Sequence, residues 1–360
     1  MPMTPTTNPR VSVVIPCYNL GAFVDEAVDS VLSQTYQDFE IIIVNDGSTD
    51  PETNRLLAEY RRPRTRVIQI ENRGLAAARN CAIQHATGTY VSALDADDRY
   101  ERTFLEKTTR VLDEDAGVSF VSCWLENFGD QNWVWKQDRC DFPVLLGECT
   151  VATPALVRKS ALDAIGGYDE RMPHQGYEDW DLWITLVEQG YRGVILPEVL
   201  FYYRRRAGSM SDACCTGQPH LELMRYLTSK HEASYRQHLL PVLMRREAES
   251  CELLRETYAL DREIDGWLVP VIARRRDELA RLESKLAAVK QQQEAAARVS
   301  ALESEAAQQA QRAQDLAREL ANVEREVAAL RHSISWRLTS PLRTTLDVWR
   351  ALTAGVRTAK

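Results

Sequence analysis

The chain has 360 residues, 44% of them hydrophobic, and a formal net charge of −8 at pH 7. That length and apolar content allow one large domain plus an extension, or two domains, with a real core. The acidic balance excludes general nucleic-acid binding, which takes a basic surface. The eight cysteines, Cys17, Cys81, Cys123, Cys140, Cys149, Cys214, Cys215 and Cys251, show no C-x-x-C pair and no histidine at zinc spacing. They read as reduced, mostly buried thiols of a cytosolic protein. The opening residues, MPMTPTTNPR, are polar, and 1–9 are expected to be disordered; they lack the apolar stretch of a signal peptide. No apolar run approaches the ~20 residues of a membrane span.

From Val11 to about Val121, short Val/Ile-rich runs alternate with helical patterns. Val11–Ile15, Glu40–Val44, Arg66–Ile70, Tyr90–Leu94 and Val118–Val121 predict buried strands. Ala22–Gln34, Pro51–Arg61, Leu75–Ala86 and Arg102–Leu112 predict helices between them. This alternation specifies an α/β class with a mostly parallel sheet and helices on both faces. Residues 122–213 break the rhythm: Trp124, Trp133, Trp135 and Gly166-Gly167-Tyr168 suggest a mixed half packed on the sheet's end. A helix follows from about Glu178 to Gln189. Arg192–Tyr203 then reads as one or two short strands, interrupted by Pro197.

Past 216 the composition turns to helix formers, with a helical region over 216–272. Apolar or small residues then recur in steps of three and four through 273–334, with one phase slip between Ala296 and Val299. That heptad seam predicts a coiled coil joining copies of the chain in a homo-oligomer, and a continuous rod would run on the order of 90 Å; a solvated single helix is the alternative. The tail, 335–360, is basic. Arg331–Lys360 holds six Lys/Arg against one Asp, and Leu342, Leu346, Trp349, Leu352 and Val356 share a helical face. Such a segment suits an anionic membrane surface, or a helix docking onto protein.

Four segments meet at one rim if the sheet is parallel. The first strand runs into Pro16-Cys17-Tyr18-Asn19, where Tyr18 offers a ring to a flat ligand. The second ends in Asn45-Asp46-Gly47-Ser48, readable as a plain turn or as a hydrogen-bond acceptor at Asp46. Arg79 stands in an Ala-rich helix, within reach of a phosphate or on the surface. The fourth strand ends in Asp95-Ala96-Asp97-Asp98, either a helix-capping turn or a D-x-D pair for a divalent cation that also carries phosphate oxygens. Glu178 and Asp179 open a helix anchored by Trp180 and Trp183. They cap it, or they place a fixed carboxylate as general base. Tyr203-Arg204-Arg205-Arg206, with Ser209 and Ser211, is a solvated basic loop or a clasp over phosphates. No G-x-G-x-x-G or G-x-x-x-x-G-K-[ST] occurs, which disfavours a dinucleotide cofactor or Walker-type loop.

Over Arg10–Ser211 the ordered motifs VSVVIPCYN, IIIVNDGSTD, ENRGLAAARN, LDADD, GGYDE, YEDWDLW and YYRRRAGSMS resemble glycosyltransferase family 2, inverting enzymes of the GT-A fold. The resemblance implies a GT-A domain over 10–215 and a metal-dependent transfer of a hexose from a nucleotide-sugar donor, UDP-linked, to a saccharide or lipid-linked acceptor. It implies that Pro16, Tyr18, Asn19 and Asp46 serve the nucleoside, with Arg79 near base or phosphates and Asp95 and Ala96 at the donor. Asp97 would ligate Mn²⁺ or Mg²⁺. Gly167, Tyr168 and Trp180 would border sugar and acceptor, Asp179 would be the base beside Glu178, and Arg204, Arg206, Ser209 and Ser211 would form a C-terminal loop. Arg206 stands where some members have a histidine, so no third metal ligand is implied there. The implied setting is bacterial surface polysaccharide synthesis, in the cytoplasm or at the inner face of the cell membrane. A sugar-1-phosphate nucleotidyltransferase would need a Gly-rich basic first loop in place of Pro16–Asn19. A non-catalytic scaffold would not need Asp95, Asp97 and Asp179.

Overall fold

The Val/Ile-rich runs at the centre of the sheet become strands because both their faces are covered. In β1 (Val11–Cys17), Val11, Val13 and Ile15 enter one core cluster and Val14 the other. In β2 (Phe39–Asp46), Ile41 and Ile43 divide from Ile42 and Val44 in the same way. The computed structural model describes residues 8–206, 209–210, 214–215, 217–293 and 305–329. The expectations for residues 1–7, for Ser211, for 294–304, and for the coil end and tail from 330 on lie outside them.

β1 and β2 pair in parallel with β3 (Thr65–Ile70) and β4 (Tyr90–Ala93) in the order β3-β2-β1-β4. Helices α1 (Gly21–Leu32), α2 (Pro51–Ala58) and α3 (Leu75–His85) make the crossovers. The start of α2 follows the sequence signal: Asp50 accepts from the Thr53 N–H at 3.0 Å and Pro51 occupies the first turn. Next come β5 (Arg99–Tyr100), α4 (Phe104–Glu114), β6 (Val118–Gly129), β7 (Val134–Trp135), α5 (Val144–Gly147), β8 (Leu156–Arg158), α6 (Lys159–Ile165), α7 (Glu178–Glu188) and β9 (Arg192–Arg205).

Two expectations are corrected here. Residues 122–213 do not pack on the sheet's end; together with β5 they extend it, in the order β8-β6-β9-β5. The sheet is therefore mixed, with four parallel and four antiparallel pairings among the described residues. Pro197 does not split the last strand either. Cys123 pairs with Leu196 and Trp124 with Val199, so Pro197 and Glu198 bulge out of the ladder and spare it the missing N–H.

The chain divides into two compact units at Leu243 and Met244. The first runs past 215 and takes in α8 (Gly217–Lys230) and α9 (Glu232–Gln237). A buried ion network ties these helices to α7. Asp181 accepts from Lys230 Nζ at 2.8 Å and faces His231 Nε2 at 3.0 Å, while His231 Nδ1 faces Glu188 at 2.8 Å. Burial works against a charged His231, yet its two carboxylate partners outweigh it and raise the imidazole's pKa.

The second unit takes in the end of α10 (Leu239–Glu263), one π-helical turn at Ile264–Leu268 and α11 (Val269–Gln293). Residues 305–329 form a further helix, α12. The described residues of α11 and α12 pack on each other. Arg276 pairs with Glu324, Arg275 with Glu319 at 3.8 Å and Arg312 with Glu278 at 3.7 Å, while Val323 and Val327 pack with Ile264, Leu268 and Ile272. These pairs run antiparallel between α11 and α12; the residues that join the two helices lie outside the described ones.

Candidate active site

The C-terminal ends of β1, β2 and β4 open into a cleft of about 840 Å³, a size suited to a small organic ligand. Pro16, Tyr18, Asp46, Arg79, Asp95, Ala96, Asp97, Glu178, Asp179, Arg204, Arg206 and Ser209 all line it. Tyr18 is 44% exposed, a ring offered to the cleft. Asp46 is held by two backbone donors, the N–H of Arg73 at 2.8 Å and of Gly74 at 2.9 Å. The neighbouring turn is ordinary in its chemistry: Asn45 Oδ1 accepts from the Ser48 N–H at 3.0 Å. Gly47 is required there, since its φ is +61° and a Cβ would lie 2.4 Å from the Asn72 nitrogen.

Asp95–Asp98 is a turn, closed by the Asp98 N–H on the Asp95 carbonyl at 3.0 Å. It caps no helix; β5 follows, and its pairing with Phe201 and Tyr202 brings the end of β9 against the carboxylates. Arg204 donates from its backbone N–H to Asp98 at 2.7 Å and from Nε to the Asp97 carbonyl at 2.8 Å. Its guanidinium also pairs with Glu26 and lies over the Phe128 ring at 4.4 Å. It therefore anchors the turn. Arg206 Nε donates to Asp97 Oδ2 at 2.9 Å, and the Ser209 N–H donates to the Arg206 carbonyl at 3.3 Å. Burial and then the charge of Asp95 raise the Asp97 carboxyl, while Arg206 lowers it.

That balance bears on a divalent cation. Among the described residues no group of three or more His, Cys, Asp or Glu could hold a metal. Two carboxylates in D-x-D, one raised by its neighbour's charge and already drawing a cationic guanidinium, nevertheless fit a Mg²⁺- or Mn²⁺-type ion that completes its coordination with phosphate oxygens and water. Arg206 stands in for such a cation at Asp97.

Arg79 is buried, not on the surface. Its side chain is 1% exposed; Nη1 donates to Glu178 at 2.9 Å and Nη2 to Asp95 at 2.7 Å, and it lies 5.2 Å over the Tyr168 ring. Burial opposes its charge, but the carboxylates and Tyr168 hold its pKa above the usual value. Through its two Nη groups it bridges α7 to the carboxylate turn, while Nε has no hydrogen-bond partner among the described residues.

Glu178 is bound by Arg79 and by the Gly176 N–H at 2.8 Å. Asp179 accepts from Thr153 Oγ1 at 3.0 Å and from the Trp180 N–H at 2.7 Å. Burial, then the charge of Glu178, push its pKa up to about 7 against Arg79 and these two donors. A base poised near neutrality is matched to its task. Asp181, the neighbour on the same helix, is committed to Lys230 and His231.

Four expected site residues stand outside the lining. Asn19 has a φ of +56° and ties β1 to the second loop, accepting from the Thr49 and Asp50 N–H groups at 2.8 Å each. Gly167 packs under Asn80, whose Oδ1 would lie 2.4 Å from a Cβ. Tyr168 backs Arg79, and Trp180 donates its indole N–H to the Leu145 carbonyl at 2.6 Å. All four position the site and do not face the cleft. Thr153 was missed, for nothing local in CTVATP marks it. The cleft-lining role of Trp133 and Trp135 was missed as well, because it depends on pairing across the sheet.

Residues 12–179 match the family profile for glycosyl transferase family 2, and 148–251 that for glycosyltransferase like family 2. The chain is 31% identical over 206 residues to WfaP of Escherichia coli, a UDP-Glc:α-D-GlcNAc-diphosphoundecaprenol β-1,3-glucosyltransferase, across 56% of this chain and 79% of the relative. It is 31% identical over 207 residues to EpsE of Bacillus subtilis, across 55% and 74%. In fold it resembles TarS of S. aureus, solved with UDP-GlcNAc, at a TM-score of 0.53 and 20% identity over 61% of this chain and 66% of that one. It also resembles the mannosyltransferase PcManGT of Pyrobaculum calidifontis, solved with GDP-Man and Mn²⁺, at a TM-score of 0.51 and 21% identity over 95% and 88%. A GT-A sheet with carboxylates around this cleft is that of a glycosyltransferase. The chain belongs to glycosyltransferase family 2.

Proposed function

We propose that the protein is an inverting, metal-dependent transferase moving a hexose from a UDP-sugar to a saccharide or lipid-linked saccharide acceptor. The observation that carries this reading is Asp179, a carboxyl pushed up to about 7 in the same cleft as Asp95 and Asp97. Tyr18 and Asp46 take the nucleoside, and Asp95 and Asp97 face the diphosphate and donor sugar. A divalent cation bound at Asp97 supplies charge neutralisation at the departing diphosphate. Asp179 takes the proton from the acceptor hydroxyl. The oxygen forms its bond to the anomeric carbon as the bond to phosphate breaks on the opposite face, and the nucleoside diphosphate leaves. One displacement inverts the centre, so an α-linked donor gives a β-linked product. The names of WfaP and TarS, with UDP-Glc and UDP-GlcNAc, support a UDP donor.

The test is turnover of UDP-glucose and UDP-GlcNAc on lipid-linked and soluble saccharides, with the new linkage read by its anomeric proton coupling. A β product is expected; retention of the α configuration overturns the single displacement.

Among the described residues no helix is long and apolar enough to cross a membrane. The basic Arg331–Lys360 tail supports a place at the inner face of the cell membrane, in surface polysaccharide synthesis. Deleting it should release the protein from anionic vesicles while sparing turnover on a soluble acceptor. Unchanged vesicle binding contradicts that placement.

A further inference from the structure

Strand register builds a second face of the cleft. On β6, Leu125 and Asn127 stand two apart and share a side of the sheet. β7 sets Trp135 across from Leu125, and Trp133 lies two residues earlier, its carbonyl accepting from the Asn127 N–H at 2.9 Å and Nδ2 at 3.0 Å. On the other flank β9 sets Phe201 beside Leu125 and Tyr203 beside Asn127, their rings 6.4 Å apart. All six line the cleft that holds Asp179. Trp133 is 46% exposed, an unusual cost for an indole that a concave site would recover on binding.

We infer that this face is the acceptor subsite and that it holds a pyranose ring stacked on Trp133 and Trp135. The inference rests on the glycosyltransferase reading and names the chemistry of its second substrate. A pyranose presents a face of C–H groups with hydroxyls at its edge. Aromatic faces carry negative charge density and take the C–H face, leaving the hydroxyl edge for polar groups. The cleft supplies both kinds of surface: indoles on and just before β7, and the Asp179 carboxylate and Arg206 guanidinium elsewhere in its lining. A polyprenyl chain would use the indoles but leave those charges desolvated and unmatched. Ring stacking also accounts for a wall built of wide, flat side chains.

The experiment uses the full chain with Mn²⁺ and UDP, and two probes: methyl N-acetyl-α-D-glucosaminide as a sugar without lipid, and farnesyl phosphate as a lipid without sugar. Saturation transfer from protein aromatic protons to the glycoside ring protons is expected. Trp133→Ala and Trp135→Ala should each weaken glycoside binding about tenfold or more, a loss of roughly 1.4 kcal/mol. Trp133→Phe should retain most of it, and the UDP affinity should stay within about twofold of wild type. Glycoside binding indifferent to both alanine variants, or absent in the wild type, overturns the inference. Farnesyl phosphate binding that depends on Trp133 where the glycoside does not bind overturns it in favour of a lipid groove. Failure of UDP to bind, with glycoside stacking intact, would strike the donor reading and leave the saccharide face standing.

Discussion

Asp179→Asn should cut turnover roughly 10²–10⁴-fold, the span that a positioned acid–base group supplies. UDP affinity should not change, because the Asp179 carboxylate is held by Thr153 and the Trp180 N–H and makes no hydrogen bond to the Asp95–Asp97 turn. Its pKa of about 7 also fixes the pH profile of the wild type. The base must be ionised, so kcat should climb with pH below about 7 and level off above it; the Asn variant should lack that limb. The stability effect has the opposite sign. A carboxyl whose native pKa lies above its ordinary value binds its proton more tightly when folded. Its favourable contribution is present at low pH and is lost as pH rises through about 7, leaving a charged group in a dry site at pH 8. Asparagine stays neutral; its Oδ1 can still accept from the Trp180 N–H, and its Nδ2 can donate to the Thr153 hydroxyl. Asp179→Asn should therefore melt no lower than wild type at pH 8. Near wild-type turnover in this variant would move the base elsewhere.

Arg79 should give the largest loss of stability. Removing one partner of a buried ion pair typically costs about 3–5 kcal/mol, because the charges left behind stay desolvated. Here one guanidinium serves Glu178 and Asp95, whose side chains are 6% and 26% exposed. Arg79→Ala should lower Tm on the order of 10 °C for a unit of this size. Arg79→Lys should recover little of it. A lysine is a point charge and cannot span two carboxylates in fixed directions while lying flat on the Tyr168 ring. A lysine variant that melts with the wild type would mean that the bridging geometry contributes little. Because the same group aims Asp95 and braces Glu178 beside the base, both substitutions should also depress turnover beyond any fraction unfolded.

The first four strands and their helices were legible because β1, β2 and β4 are buried on both faces and each helix keeps its own period; β3, expected to be buried, is a partly exposed strand at the end of the strand order. Asp50 before Pro51 marks the start of α2 to the residue. The rim was legible too, since a parallel sheet sends Pro16, Asp46 and Asp95 to one edge whatever surrounds them. What the sequence withholds is partnership. Arg79 in an Ala-rich helix reads equally as surface or site; its partners Glu178 and Asp95 are joined to it by the fold alone. Arg204 looked like a mobile cation, and the β5–β9 pairing makes it an anchor. Gly167 and Asn19 carry backbone tasks, a close approach and a positive φ, that a motif cannot tell from ligand contact. The heptad seam shows that a stripe must be covered, and does not show whether a neighbour or the same chain covers it.

The most direct test of the account is calorimetric titration of UDP into the full chain, with Mn²⁺ and then with excess EDTA, in wild type and Asp97→Asn. Micromolar binding that EDTA abolishes in the wild type, and that Asp97→Asn loses even with Mn²⁺ present, is the predicted result. Metal-independent binding unaffected by Asp97→Asn, or no binding of UDP, GDP, CDP or dTDP under either condition, would contradict it.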